Sequence, residues 1–570
     1  MDPSVVTPRP LSVRKQFAFV LVILAVVALL SFIGLEVVLR GIGLHVPKDP
    51  YLSFGTVPDF FVQRTIDGKS YYQVAHRDVY SERQTVFVAK KDPNTIRVIC
   101  IGASASAGWP HQGDEIYTAY LQQALERAYP GRHFEVLNLS AHAYAAYRVR
   151  LVFEEAVRFE PDVVVIWSGN NEFLEKRRYR NQPKWLQVLA DLGNESLAYR
   201  GLRGSRVGRW AWPDNTLSAY ERGHHLYTMW SKLEQVAVAL RTEPEQFAAV
   251  QRHYAASLES MVATAERRGI PVVLATVPVN LRDWRPAVSC NSIQEAAREQ
   301  WQARYLDGRR ALAQRNYPDA VRLLSDAIAL DPQYADAHFY LARAYEGQGD
   351  HARARGSFAV ARDNDCNPFR AISAFETTVG EIAGRHANVI VADLAGAFHA
   401  ASAPYAPGFD LFLDHVHPTR KGNLVAAETV FAALGRTGVL ESDRTVHPAV
   451  TLNARQVALA TPPYDDWSDA PMQALLVRFY MAQHQDESIV SRARYLLQNP
   501  ALVQQLSEAD RTFLTSADRL FSEILAREAQ WIEGRASDPR ARNKEQLLEF
   551  YKQTFEGYQE YKKKYVDSPQ

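Results

Sequence analysis

Three short stretches of this chain carry side chains that could do chemistry together. Ser104 lies in Gly102-Ala103-Ser104-Ala105-Ser106-Ala107-Gly108, directly after the apolar run Val98-Ile99-Cys100-Ile101. Asp414 and His417 stand in Asp414-His415-Val416-His417-Pro418, and Gly169-Asn170-Asn171-Glu172 follows the apolar run Val163 to Trp167. A serine hydroxyl becomes a nucleophile when a base takes its proton, and an imidazole held by a carboxylate is the usual base. One short segment supplies both here, with Asp414 orienting the ring of His417. His415 is assigned to local hydrogen bonding. The chemistry implied is acyl transfer through a serine ester, which needs neither metal nor cofactor.

Such residues need a frame. The β-branched run before Gly102 reads as a buried parallel strand whose loop opens a helix, which puts Ser104 at the carboxyl edge of a sheet, where α/β folds bind ligands. Strands are predicted over Ile96 to Ile101, Phe134 to Leu139, Val163 to Trp167, Pro271 to Val277 and Val389 to Leu394. Between them, apolar residues recurring at helical spacing predict helices over Ala119 to Ala128, Ala146 to Arg158 and Glu245 to Arg268, with another over Gly422 to Leu434. This alternation predicts a doubly wound α/β fold with a parallel sheet.

In these blocks the chain resembles the SGNH/GDSL hydrolase family. The family's first block, Gly-Asp-Ser-x-x-x-Gly, is matched by Gly102-Ala103-Ser104 with Gly108. Its third, Gly-x-Asn-(Asp/Glu), is matched by Gly169-Asn170-Asn171-Glu172, and its last, Asp-x-x-His-Pro, by Asp414 to Pro418. Two departures stand out. Ala103 replaces the usual aspartate, and Asn138-Leu139-Ser140-Ala141-His142-Ala143 lacks both glycines of the second block. The resemblance implies a flavodoxin-like sheet and a catalytic triad of Ser104, His417 and Asp414. It also implies an oxyanion hole made of the Ser104 N–H, the Ala143 N–H and the Asn171 amide. Gly169, and Asn280 on a loop expected at the cleft edge, are assigned to substrate binding. The resemblance spans roughly residues 95–290 and 370–437.

The rest of the chain surrounds this core. Phe17 to Leu35 is uncharged and follows Arg9, Arg14 and Lys15. At about 1.5 Å per residue it is long enough for a membrane-spanning helix, with a cleaved signal peptide as the alternative. The basic flank favours an N-terminus on the cytoplasmic side, with Arg40 and Lys48 making the asymmetry modest, and the family resemblance implies a bacterial inner membrane with the bulk of the chain periplasmic. Residues 40–94 carry scattered aromatics and read as a β-rich or irregular lead-in. Residues 173–242 form an insertion rich in Arg and Trp, suited to a lid over an anionic glycan or lipid headgroup, or to a solvated basic face near a membrane.

In residues 291–369 a repeat is visible. Gly308, Ala320, Leu324, Ala327 and Pro332 return 34 residues later as Ala342, Ala354, Phe358, Ala361 and Cys366. That period resembles the tetratricopeptide repeat, which binds proteins or acts as a spacer. Two repeats are fewer than the usual three, so they are expected to lean on a neighbouring helix or on the hydrolase itself. Cys290 and Cys366 flank the segment and could be bridged or free. The helices predicted in 441–570 end with one over Lys544 to Tyr565, striped with Phe550, Tyr551, Phe555, Tyr558, Tyr561 and Tyr565.

The hydrolase domain is thus expected as 95–290 and 370–440, with 1–16 as a cytoplasmic tail and 17–39 as the anchor. Of the 570 residues, 65 are Lys or Arg and 64 Asp or Glu, so no global field points to nucleic acid. The expected function is a membrane-anchored serine esterase acting on an acylated lipid or glycan, with a possible protein partner on the repeats. An O-acyltransferase on cell-envelope polysaccharide, or a weakly catalytic scaffold, would use the same parts.

Overall fold

The computed structural model describes residues 13–42, 61–74, 86–88, 90–111, 115–142, 144–173, 196–204, 241, 244–440, 466–482 and 485–533. Two compact units emerge: residues 1–59 with 180–218, and residues 60–179 with 219–570.

In the first unit, α1 (Val13–Gly41) is a single helix, and its stretch Phe19–Gly41 has the length and composition of a membrane span or a signal sequence. Glu36 near its end accepts hydrogen bonds from the Leu197 and Ala198 N–H groups and from the Ser196 hydroxyl.

The second unit begins with the antiparallel sheet β1 (Phe61–Ile66), β2 (Lys69–Val74) and β3 (Val86–Val88). Its first hairpin turns through Asp67-Gly68, both at positive φ, the pairing that a two-residue turn of right-handed twist requires. Phe61 and Phe87 dock on Phe159 at ring distances of 4.8 and 5.0 Å.

The main sheet consists of β4 (Thr95–Gly102), β5 (His133–Asn138), β6 (Val163–Trp167), β7 (Val272–Ala275) and β8 (Val389–Ala392). All four neighbouring pairs are parallel, in the order β5-β4-β6-β7-β8. Relabelled along the chain this is 2-1-3-4-5, the flavodoxin-like order, whose direction reverses between β4 and β6. Both of these strands are buried on both faces, as interior parallel strands must be.

In chain order the helices continue with α2 (Ser104–Ala107), α3 (Tyr117–Ala128), α4 (Ala146–Ala156), α5 (Leu197–Gly204, in the first unit) and α6 (Pro244–Arg267). Four repeat helices follow: α7 (Glu295–Ala313), α8 (Tyr317–Leu330), α9 (Ala335–Gly347) and α10 (His351–Asp363). After them come α11 (Ser373–Arg385), α12 (Leu394–Ala401) and α13 (Arg420–Leu434). The C-terminal set is α14 (Ala470–Ala482), α15 (Asp486–Gln498), α16 (Pro500–Val503) and α17 (Glu508–Ile532).

Helix α6 packs against α4 and α11, while α13 packs against α3 and α12, so helices form two layers on the sheet. The small residues that recur in the repeats, Ala320, Ala327, Ala354 and Ala361, are all buried where the paired helices meet. A disulfide joins Cys290 and Cys366 across 76 residues, closing the base of the inserted repeats. Most of the 173–242 insertion and the helix expected over 544–565 lie outside the described residues.

Candidate active site

Ser104 is presented by a turn that the sheet itself dictates. Strand β4 ends at Gly102, where a Cβ would sit 2.1 Å from the Trp167 carbonyl oxygen of β6, so a side chain cannot be accommodated. Ala103 stays extended, and Ser104 opens the single turn α2. Gly108 closes that turn in the left-handed region, with its N–H on the Ser104 carbonyl at 3.0 Å. From the side, Asn138 at the end of β5 donates to the Ser106 carbonyl at 3.0 Å and accepts from the Ser140 N–H at 3.1 Å. The Ser106 hydroxyl meets Ser140 Oγ at 2.9 Å and the Tyr117 hydroxyl at 3.1 Å. The second block thus braces the turn that carries Ser104 although its glycines are gone. Below it, burial pushes the Cys100 thiol up to about 12 against a weaker opposing bond to Tyr117, so it stays protonated and inert.

His417 faces that turn. Its Nε2 lies 2.8 Å from Ser104 Oγ and its Nδ1 2.6 Å from Asp414 Oδ2. The second Asp414 oxygen accepts from the Val416 and His417 N–H groups, each at 2.9 Å, and faces His415 Nδ1 at 3.4 Å. This fixes the tautomer: an Nδ1–H on the carboxylate leaves Nε2 free to accept the serine proton. Burial by itself would raise the Asp414 pKa, but the imidazoles of His417 and His415 outweigh it and hold the carboxyl well below its ordinary range. Asp414, His415 and His417 also bring ligand atoms within 4.8 Å of one another, the spacing a metal ion would use. Both Asp414 oxygens and both ring nitrogens of His417 are already bonded, so a metal held by all three would have to break the Ser104–His417–Asp414 chain.

The Gly169 block sits across the switch point from Ser104. Asn171 donates from its amide to the Tyr144 carbonyl at 3.2 Å, Glu172 accepts from the Ala146 N–H at 2.8 Å, and Asn170 accepts from Ala371 at 3.2 Å. The block therefore ties the backbone at 144–146 to the sheet edge. Gly169 itself is buried at φ +146, and a Cβ there would meet Val277 at 3.0 Å and the Tyr254 hydroxyl at 3.3 Å. This close packing is what the structure shows at Gly169, the residue assigned from the sequence to substrate binding. Ala143 lies outside the described residues.

Asn280 also differs from expectation. It is fully buried, and its amide donates to the Asp414 carbonyl at 2.9 Å while its Oδ1 accepts from the Asp283 N–H at 3.0 Å. Its N–H bonds the His415 carbonyl at 2.9 Å, and Arg370 in turn grips the Asn280 carbonyl at 2.6 Å. It holds the acid loop from beneath.

Several supports carried no signal in the sequence. Trp109 sets its ring edge-on to His417 at 4.5 Å. Trp284 lies against His415 at 5.3 Å, and Tyr480 of α14 donates to the Leu413 carbonyl. These side chains join Leu413 and the C-terminal helices in one apolar core. His111, seven residues after Ser104, bonds the Pro418 carbonyl at 3.1 Å, and Arg420 spans to Glu115 and Asp466 at 2.7 and 2.8 Å.

Comparison with known proteins adds one family. Residues 305–371 match the tetratricopeptide repeat. The repeats so identified run from within α7 to just short of α11. No curated protein matches the chain. Among solved structures, an acetylxylan esterase, Axe2 from Geobacillus stearothermophilus, is similar at 14% identity over 60% of this chain and 94% of its own, with a TM-score of 0.28. LAE5, an alpha/beta hydrolase from the metagenome of Lake Arreo, Spain, is similar at 14% identity over 60% and 96%, TM-score 0.28. A protein described as a GDSL-like lipase, from Parabacteroides merdae, is similar at 13% identity over 61% and 97%, TM-score 0.29.

Proposed function

We propose that the chain is a membrane-anchored serine ester hydrolase of the SGNH type, acting outside the cytoplasm on an acylated glycan or lipid. The observation that carries the reading is the unbroken relay from Ser104 Oγ to His417 Nε2 at 2.8 Å and from His417 Nδ1 to Asp414 at 2.6 Å. Ser104 Oγ attacks the ester carbonyl carbon as His417 Nε2 takes its proton, and the carbonyl oxygen becomes an oxyanion. The Ser104 and Ala143 N–H groups and the second N–H of the Asn171 amide receive that charge; each such donor is worth about 3 to 4 kcal/mol in related chemistry. As the tetrahedral species collapses, His417 returns the proton to the departing alkoxide, and the acyl group stays on Ser104. Water then attacks, giving its proton to His417; the acid leaves and the Ser104 hydroxyl is restored.

Anchoring rests on the N-terminal helix. The bonds from Glu36 to Ser196, Leu197 and Ala198 favour a retained helix over a signal sequence, because cleavage would strip these partners from the segment that needs them. Arg14 and Lys15 before the span favour an inside N-terminus. The Cys290–Cys366 disulfide fits an oxidising compartment on the far side.

Turnover of 4-nitrophenyl acetate by the full-length chain in detergent tests the reading. It should fall by about three orders of magnitude or more in both Ser104→Ala and His417→Ala. Equal turnover in Ser104→Ala and wild type would refute it.

A further inference from the structure

The face that α7 and α9 share within the repeats is filled by other parts of the same chain. On one side lies Arg285, whose Nε and Nη2 grip Asp336 of α9 at 2.9 and 2.8 Å. On the other lies the end of α17. Glu528 pairs with Arg309 of α7 at 3.2 Å and stands 3.8 Å from Arg285 Nη1. Trp531 faces Tyr305 at 6.5 Å, and the Ile532 carbonyl accepts from Arg310 at 2.8 Å. Arg309 lies over the Tyr340 ring at 3.7 Å, completing a cationic and aromatic seat. Glu528 and Trp531 are both buried and three residues apart, so they share one face of their helix.

Two routes lead from this seat to the acid loop. Arg285 closes the 280–285 segment, in which Asn280 holds the Asp414 carbonyl and Asp283 is bonded by Arg343 of α9 at 3.4 Å. Gln485 brackets the Arg285 backbone, accepting from its N–H and donating to its carbonyl, each at 3.0 Å. Through α14 the same C-terminal helices reach the Leu413 carbonyl by Tyr480.

We propose that this face of the repeats is a receptor for the chain's own acidic and aromatic helix end, and that its occupancy holds the acid loop in register with Ser104. Arg285, Arg309, Glu528 and Trp531 are then positioning residues. The proposal rests on the esterase reading for its consequence in catalysis, but not for the mechanical link.

The test compares the full-length chain with Glu528→Gln and with Glu528→Gln/Trp531→Ala, by hydrogen exchange and by steady-state kinetics. Exchange at the Val416 and His417 amides, which are bonded to Asp414, should quicken on the order of tenfold in the double variant and less in the single one. Turnover of 4-nitrophenyl acetate should lose kcat by a similar factor while KM stays within about twofold. Faster exchange confined to α7, α9 and α17, with residues 411–419 as protected as in wild type, would overturn the proposal. So would a loss seen only in KM. Should the wild type itself fail to turn over the ester, the esterase reading falls, and the exchange data still decide the link. The single variant keeps the decision open if the double one fails to fold.

Discussion

Ser104 and His417 meet at 2.8 Å, but the limbs that bring them together are built differently. The nucleophile limb belongs to the sheet: Ser104 leaves β4 through a glycine pressed on β6 and is braced by Asn138 at the end of β5. Among the described residues, the side chains that brace its turn, Asn138, Ser140 and Tyr117, all come from the segment that follows it. The acid limb is a loop, and what steadies it comes from far along the chain: Asn280 and Tyr480 on the Asp414 and Leu413 carbonyls and Arg370 on the Asn280 carbonyl, with the repeats and the C-terminal helices behind them. A sheet edge fixes its groups by backbone pairing with a few neighbouring side chains added, whereas a loop needs side chains from elsewhere, and those can be loosened separately.

The contrast can be broken first at the carboxylate. Asp414→Asn keeps the size but loses the charge that sets the tautomer and stabilises the imidazolium. It should cost about three to four orders of magnitude in kcat, measured by ester turnover, with little change in thermal unfolding. If the acid limb were only structural, stability would fall and the rate per folded molecule would hold.

On the nucleophile side, Gly102→Ala should act on the whole sheet. The added Cβ would collide with a backbone carbonyl 2.1 Å away, which neither strand can yield without shifting. The expected loss is about 3 kcal/mol in urea unfolding, with main-sheet and helix signals lost together.

The acid limb should also respond to pH where the nucleophile limb does not. Burial raises the Asp365 carboxyl to about 6, against the opposing pull of Arg370 at 3.9 Å and bonds from the Ala287, Asn367 and Val288 N–H groups. An unfolded aspartate titrates near 4, so between about pH 4 and 6 the folded state binds more protons than the unfolded one. Stability therefore falls as pH rises through that window, by at most about 1.4 kcal/mol per pH unit, and levels off above it. Asp365→Asn should flatten that slope in unfolding curves taken at pH 4.5 and 6.5. An unchanged slope would place the titrating group elsewhere.

These differences also decide what could be read from the residues alone. Ser104 and the Gly169 block were legible because each follows a β-branched run, and a parallel strand announces its own carboxyl edge. The spacing of the repeats was legible because small residues must recur where paired helices cross. Asn280 was placed at the cleft edge because a loop after a strand usually lies there, whereas tertiary contacts pulled its amide under Asp414. Tyr480 and Arg285 carried no local sign of their task, since a side chain that bonds a distant carbonyl looks like any other in its own helix or loop. The cysteine pairing stayed open for the same reason: spacing does not bring two chain segments together, and the fold of the repeats does.

In the proposed mechanism Ser104 is a nucleophile activated by His417. The most direct measurement treats the full-length chain with a fluorophosphonate probe and maps the adduct by mass spectrometry. A single adduct on Ser104, lost in Ser104→Ala and much slowed in His417→Ala, is the result this account predicts. A folded protein that takes no probe, or takes it at another serine with Ser104 untouched, would contradict it.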